Sequence, residues 1–325
     1  MGEIVACGAS AAEQEAAALW FGFDLGYFDV IVVDALARIV CAPHLDRWRE
    51  VLPVVAMIHE LPSVVAATGR AATRERQFEE PLLRADRLIA VSDHGRSILQ
   101  GRGVPDGRIR VVPPGFDRLS PPDDGLEPPI GDDATVRVLC VAQWIPRKGV
   151  LELVRAWAAR ERSEAMLELI GDTDADPVYA ASVRAAIAGS SGSSITVRGP
   201  VDDAVLGAAY AAADLFALPS WYEGYGIVYA EALAHGLPVL ACDVGPVPGL
   251  LGEEAALLVP PGDAGALSGA LDLLLEDSAL RGRMSAAARR RANYLPRWKD
   301  TVAGFRRVLK ELDEKSSSSR RPKNG

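Results

Sequence analysis

Glu223 and Glu231 bracket the start of a helix in the stretch 215–231, LFALPSWYEGYGIVYAE. The stretch reads as a buried strand over 215–219, a turn carrying Gly224 and Gly226, and a helix opening near Gly226. Glycine lets the backbone take positive φ and come close to a ligand. The first N–H groups of a helix have no partner within it, and the helix dipole adds to their pull on an anion. The backbone around Tyr225, Gly226, Ile227 and Val228 would therefore face a phosphate or diphosphate. Glu231, in the second helical turn, is placed to accept hydrogen bonds from ribose hydroxyls. Glu223, just ahead of the helix, lies where it can bind the hydroxyls of whatever the phosphate carries. Taken alone, the two glutamates read equally well as an acid favoured by the dipole and a solvated helix position. A second cluster, VAQWIPRKGV over 141–150, closes another strand, and its Lys148 sits in a loop bounded by proline and glycine. An ammonium there reaches a phosphate in the same crevice. An isolated lysine on an exposed loop, however, needs no ligand to explain it.

The elements that must position these residues follow a βα rhythm. In the first part of the chain, strands are expected at 29–34, 53–57, 87–91 and 108–112, with helices over 71–85 and from the Ser92 cap through Gln100. Residues 1–28 carry too little pattern to assign. Residues 119–134, LSPPDDGLEPPIGDDA, have the proline, glycine and acid content of a linker. The rhythm then restarts, with strands expected at 136–141, 166–170, 195–198, 215–218, 238–241 and 256–259. Helices are expected between them at 150–160, 177–188, 203–212, 227–234 and 264–276, then at 280–292 and 298–312. This divides the chain into a first Rossmann-like domain (1–118), the linker (119–134) and a second Rossmann-like domain (135–292). A further helix is expected within 293–314, and 315–325 read as a disordered tail. In two such doubly wound sheets, ligands bind outside the carboxyl ends of the strands.

Composition narrows the function classes. A formal net charge of -9 argues against nucleic-acid binding. No apolar run approaches a membrane span, and the N-terminus lacks the pattern of a signal peptide. Cys7, Cys41, Cys140 and Cys242 are scattered singly, which reads as reduced core cysteines in a cytoplasmic protein. His44, His59, His94 and His235 show no metal-type spacing, so no metal site is expected. No GxSxG follows a strand, which removes a serine hydrolase, and GxGxxG is not where a dehydrogenase needs it.

Several motifs together resemble the family-4 retaining glycosyltransferases of the GT-B fold. They are Lys148-Gly149 after a strand, the Glu223–Glu231 pair of the EX7E motif, and AHGLPVLA over 234–241. ADLFALPS over 213–220, ADRLIAVS over 85–92, VVPPGFD over 111–117 and the late Trp298 helix add to them. The resemblance implies two Rossmann-like doubly wound domains facing a cleft, the first (1–118) on the acceptor side, the second (135–292) binding the nucleotide sugar, and the 293–314 helix crossing back to the first. It also implies a sugar moved from a nucleoside-diphosphate donor of UDP or GDP type. The acceptor is left as a glycan, lipid or small molecule, and a lipid acceptor would bring the chain to a membrane surface. Glu223 would contact the donor sugar, Glu231 the ribose and Lys148 the diphosphate, with Gln143, Arg147, Gly224, Tyr225, Gly226 and Ile227 lining the donor site. His59 matches a family histidine that faces the donor sugar, giving catalytic positions at His59, Lys148 and Glu223. Neither a cofactor nor a metal is implied.

Three departures from the family pattern stand out. Ala142-Gln143 replaces the family's Gly-Arg, so an uncharged amide stands where a second cation normally meets the diphosphate. Gly245-Pro246-Val247-Pro248-Gly249 lacks the glutamate that family members carry there. The opening strand and glycine-rich loop of a full first domain are not recognisable, so that domain is read as shortened, with an exposed apolar sheet edge as the consequence. These departures motivate the alternative of a weak or inactive sugar-nucleotide-binding remnant or regulatory protein. An epimerase of the same fold is the third reading, and the EX7E placement argues against it.

Overall fold

The computed structural model describes residues 25–66, 69–119, 135–160, 165–190 and 194–319. The chain divides into two compact units, one formed by Met1–Pro113 with Lys299–Gly325 and the other by Pro114–Trp298. The boundary falls at Pro113–Pro114, ahead of the 119–134 stretch singled out by composition. Apart from Leu119, that stretch lies outside the described residues, as do 1–24, which include the weakly patterned start.

In the first unit, β1 (Ile31–Asp34), β2 (Val54–Ile58), β3 (Arg87–Ala90) and β4 (Ile109–Val111) form a parallel sheet in that spatial order. Helices α1 (Arg38–Val51), α2 (Pro62–Val65), α3 (Gly69–Leu83) and α4 (Asp93–Gly101) connect them. Alternation along the strands separates two cores. Val54, Ala56, Ile58, Leu88 and Ala90 join one cluster with Val40, Leu45, Leu82 and Leu99 of the connecting helices. Val55 and Ile89, which point the other way, pack with Val308 and Leu312 of the C-terminal helix α12 (Trp298–Ser319). Glu311 of α12 pairs with Arg110 at 2.7 Å and Arg87 at 3.5 Å, which pins the helix to the sheet. Helix α1 was not expected from the sequence, because Pro43 lies inside it and proline normally ends a helix. Helix α12 continues to Ser319, so 315–319 are helical rather than tail; 320–325 lie outside the described residues.

The second unit holds a parallel sheet of β5 (Val136–Val141), β6 (Ala165–Ile170), β7 (Ile195–Gly199), β8 (Leu215–Leu218), β9 (Val239–Cys242) and β10 (Ala256–Val259). Its spatial order is β10-β9-β8-β5-β6-β7. The helices are α5 (Val150–Ala158), α6 (Pro177–Gly189), α7 (Asp203–Ala212), α8 (Ile227–Ala234), α9 (Val247–Leu251), α10 (Ala264–Glu276) and α11 (Ser278–Ala292). Strand β8 is buried throughout, as expected for a continuous apolar run in a parallel sheet covered on both faces. Strand order reverses between β5 and β8. Because parallel crossovers are right-handed, the connections leaving these two neighbours depart to opposite faces, and a crevice opens at their carboxyl ends. Both units are thus parallel α/β layers of Rossmann type. Among the described strands, the reversal belongs to the second unit, while the first runs in simple sequence order.

Candidate functional site

The loops leaving β5 and β8 carry Lys148 and Glu223, and both flank the reversal point. Three contacts bring the loops together. Trp221 N donates to Arg147 O at 2.7 Å. Gly149 sits at φ 66°, and a Cβ on it would come within 2.2 Å of Pro219 O, so only glycine allows this approach. Lys148 Nζ then reaches Glu223 Oε1 at 2.7 Å, with side-chain exposures of 15% and 5%. A buried carboxylate is tolerable here because a cation meets it directly.

Helix α8 begins directly after this loop. Gly226 takes φ 92° at its N-cap, and no side chain caps the helix. Tyr229 OH donates to Leu218 O at 2.8 Å, which ties the first turn of α8 to the end of β8. The helix therefore offers its first backbone N–H groups at the crevice, next to the ammonium of Lys148. Gly224, Tyr225, Gly226 and Ile227 form this turn and helix start, and Gln143 lies exposed at the exit of β5 with Arg147 following.

Glu231 lies one turn deeper in α8 and is buried. Its Oε2 accepts a hydrogen bond from Tyr210 OH of α7 at 3.0 Å. Burial raises its carboxyl above the ordinary range, opposed by the Tyr210 hydrogen bond and the charge of Arg118. Tyr210 carried no local sequence signal, since it lies on a different helix from the glutamate it serves.

His59 belongs to the first unit, in the loop after β2. Its Nε2 lies 2.9 Å from Asp34 Oδ2 at the end of β1. The other carboxylate oxygen of Asp34 accepts from Leu36 N at 2.8 Å, which fixes the carboxylate in place. The Asp34 hydrogen bond raises the His59 pKa above 6.5 despite partial burial. Burial alone would raise the Asp34 carboxyl, but hydrogen bonds from His59 and Leu36 outweigh it and hold the group below its usual range. Sequence reading missed Asp34; the available signal was a polar residue ending the strand beside the one that leads to His59.

Cys41, Cys140 and Cys242 are buried, and Cys7 lies outside the described residues. Burial pushes the Cys140 thiol up to about 12 and the Cys242 thiol to about 11, so both stay protonated core residues near neutral pH. Among the described residues no group of three or more His, Cys, Asp or Glu could hold a metal ion. Among the same residues, no helix is long and apolar enough to cross a membrane.

Two family profiles match the chain: glycosyl transferases group 1 over residues 135–277, and glycosyltransferase family 4 over residues 14–118. The chain is 34% identical over 270 residues to a D-inositol 3-phosphate glycosyltransferase of Nocardia farcinica, covering 75% of this chain and 57% of the relative. It is 33% identical over 221 residues to an MMP alpha-(1->4)-mannosyltransferase of Mycolicibacterium hassiacum, covering 66% of this chain and 52% of that protein. The chain thus spans less than two thirds of the length of these curated relatives. Among solved structures, a sucrose-phosphate synthase from Thermosynechococcus elongatus superposes with a TM-score of 0.75 at 27% identity, over 88% of this chain and 74% of the other. The Anabaena protein HepE, solved with UDP and glucose, gives 0.74 at 20% identity over 93% and 81%. These neighbours share the GT-B fold with this chain.

Proposed function

The chain belongs to the family-4 glycosyltransferases, and from that membership we propose that it is a retaining glycosyltransferase. In this reading it moves a sugar from a UDP- or GDP-type donor to an acceptor, with protein groups in place of a metal. The observation that carries the reading is the Lys148–Glu223 pair, 2.7 Å apart at the strand reversal and beside the uncapped start of α8. The pair supplies a cation for a diphosphate and a carboxylate for sugar hydroxyls within one crevice. When the donor enters, its diphosphate takes the Lys148 ammonium and the first N–H groups of α8, and the released Glu223 accepts hydrogen bonds from the sugar. Glu231 serves the ribose, while Gln143 and Arg147 line the exit of β5. His59, with Asp34 beside it, is assigned to the reaction only through the family resemblance.

In the transfer, the bond between the anomeric carbon and the diphosphate oxygen breaks, and its electron pair leaves with the diphosphate. The acceptor hydroxyl attacks from the same face, and its proton passes to the leaving diphosphate. Charge building on that group meets Lys148 and the helix N-terminus, so electrostatic stabilisation is the main catalytic contribution. The buried thiols of Cys140 and Cys242 agree with a cytoplasmic setting.

The experiment presents UDP- and GDP-sugars to the purified chain, measures binding and turnover separately, and reads the anomeric configuration of the product by NMR. Transfer with retained configuration, undiminished by EDTA, supports the proposal. Donor binding without hydrolysis or transfer to any acceptor replaces it with a sugar-nucleotide-binding protein, the reading that Gln143 motivates. Inverted product, or activity abolished by EDTA, refutes the stereochemical or the metal part respectively.

A further inference from the structure

Tyr210 is fully buried between two rings. Its own ring stacks on His235 at 5.1 Å and on Phe216 at 6.0 Å between centroids. His235 is itself held, since its Nδ1 lies 2.9 Å from the backbone carbonyl of Glu231. That carbonyl can only accept, so the nitrogen carries the proton. Burial lowers the pKa of His235, which keeps the ring neutral near pH 7. The Tyr210 ring is thus fixed in plane and depth, and the position of its hydroxyl follows. The hydroxyl has one proton and two acceptors in range, Glu231 Oε2 at 3.0 Å and Val228 O at 3.3 Å. The nearer acceptor is also the charged one, and a charge-assisted hydrogen bond is the stronger of the two. Burial holds the phenol well above its ordinary value of 10, so Tyr210 is a hydrogen-bond donor at every working pH.

We propose that Tyr210 is the positioning residue for Glu231, its hydroxyl occupying Oε2 so that the carboxylate keeps one rotamer and offers Oε1 to a vicinal diol of the donor. This rests on the reading of Glu231 as a ribose-binding acid. Among the described residues, Tyr210 supplies the one side-chain hydrogen bond that this carboxylate accepts. The other charges acting on Glu231 are Arg118, which favours its ionised form, and Asp203, which opposes it. Arg118 and Asp203 pair with each other at 3.0 Å, so their influences on Glu231 partly cancel. The hydroxyl of Tyr210 therefore does two jobs, orienting the carboxylate and favouring its charged state.

The test compares wild type, Tyr210→Phe and Glu231→Gln by calorimetric titration with UDP and GDP, and with the 2′,3′-dideoxy form of whichever binds. Tyr210→Phe keeps the ring sandwich and removes only the hydroxyl. Wild type should prefer the ribose form, and both variants should lose most of that preference, with Tyr210→Phe weakening ribose-form binding about tenfold. In Tyr210→Phe the acid limb of ribose-form binding should also move to higher pH, because the carboxylate has lost a donor to its charged form. An unchanged ribose preference and pH limb in Tyr210→Phe, alongside a lost preference in Glu231→Gln, overturns the role of Tyr210 alone. A Glu231→Gln variant that still discriminates overturns the ribose assignment and this proposal with it. Wild type that binds neither diphosphate overturns the donor-binding reading as a whole.

Discussion

Lys148 Nζ and Glu223 Oε1 meet at 2.7 Å although 75 positions separate them in the chain, and the carboxylate is almost completely buried. The pair marks the crevice before any ligand arrives. Under the proposed function, each partner exchanges the other for donor groups during binding.

Removing Lys148 should therefore do two separable things. Lys148→Met leaves the Glu223 carboxylate buried without its cation, and should cost on the order of 3 kcal/mol of stability in denaturant titration. The double variant Lys148→Met with Glu223→Gln should recover most of that loss. Neither variant should recover activity, and Lys148→Ala or Glu223→Ala should each lower kcat/KM more than about tenfold, or roughly 1.4 kcal/mol. A wild-type rate in either single variant would remove that residue from the site.

The loops that carry the pair depend on Gly149. Gly149→Ala would place a Cβ 2.2 Å from Pro219 O at a φ of 66° that side chains rarely adopt. The variant should lose on the order of 2 kcal/mol or more in stability and show weakened donor binding. Gly189→Ala is the matched control, because a Cβ there meets nothing within 4 Å. Equal melting temperatures for the two variants would show that the close approach is not needed.

The Asp34–His59 pair predicts a definite pH response. His59 has a raised pKa, so the stability it contributes is full below its unfolded value of about 6.5 and is lost as pH rises through the folded pKa. Asp34 has a lowered pKa, so its contribution is full above about 3.9 and is lost as pH falls through the folded value. In Asp34→Asn the His59 ring should titrate at lower pH in NMR spectra, since the hydrogen bond to a carboxylate is its largest influence. An unmoved His59 titration would show that the pair does not persist in solution.

Gln143 lies exposed at the exit of β5, where the family resemblance implies an arginine. Gln143→Arg adds a charge beside the proposed diphosphate site, and should lower the donor KM a few-fold at low salt, with the gain shrinking as salt rises. A gain independent of salt would point to packing rather than charge.

Much of this protein is legible in one dimension. Period and punctuation locate β5 and β8 and helices α7, α8 and α10 at the ends observed, because each is set by neighbours within a few residues. The same local chemistry marks Glu223, Glu231 and Lys148 as candidates, since acids at a helix start and a lysine in a tight loop stand out in sequence, whereas His59 entered through the family resemblance. Helix α1 escaped notice for an equally local reason, as Pro43 masks a helix that packing of Val40, Leu45 and Trp48 sustains. What the sequence could not decide is which candidates share a partner. Strand order places the β5 and β8 loops side by side, and that order depends on packing across the whole sheet rather than on any window of residues. Asp34 came to light only through the pairing of β1 with β2, and Tyr210 only because α7 lies against α8. Side-chain chemistry thus named the groups, and tertiary packing chose their hydrogen-bond partners and their electrostatic surroundings.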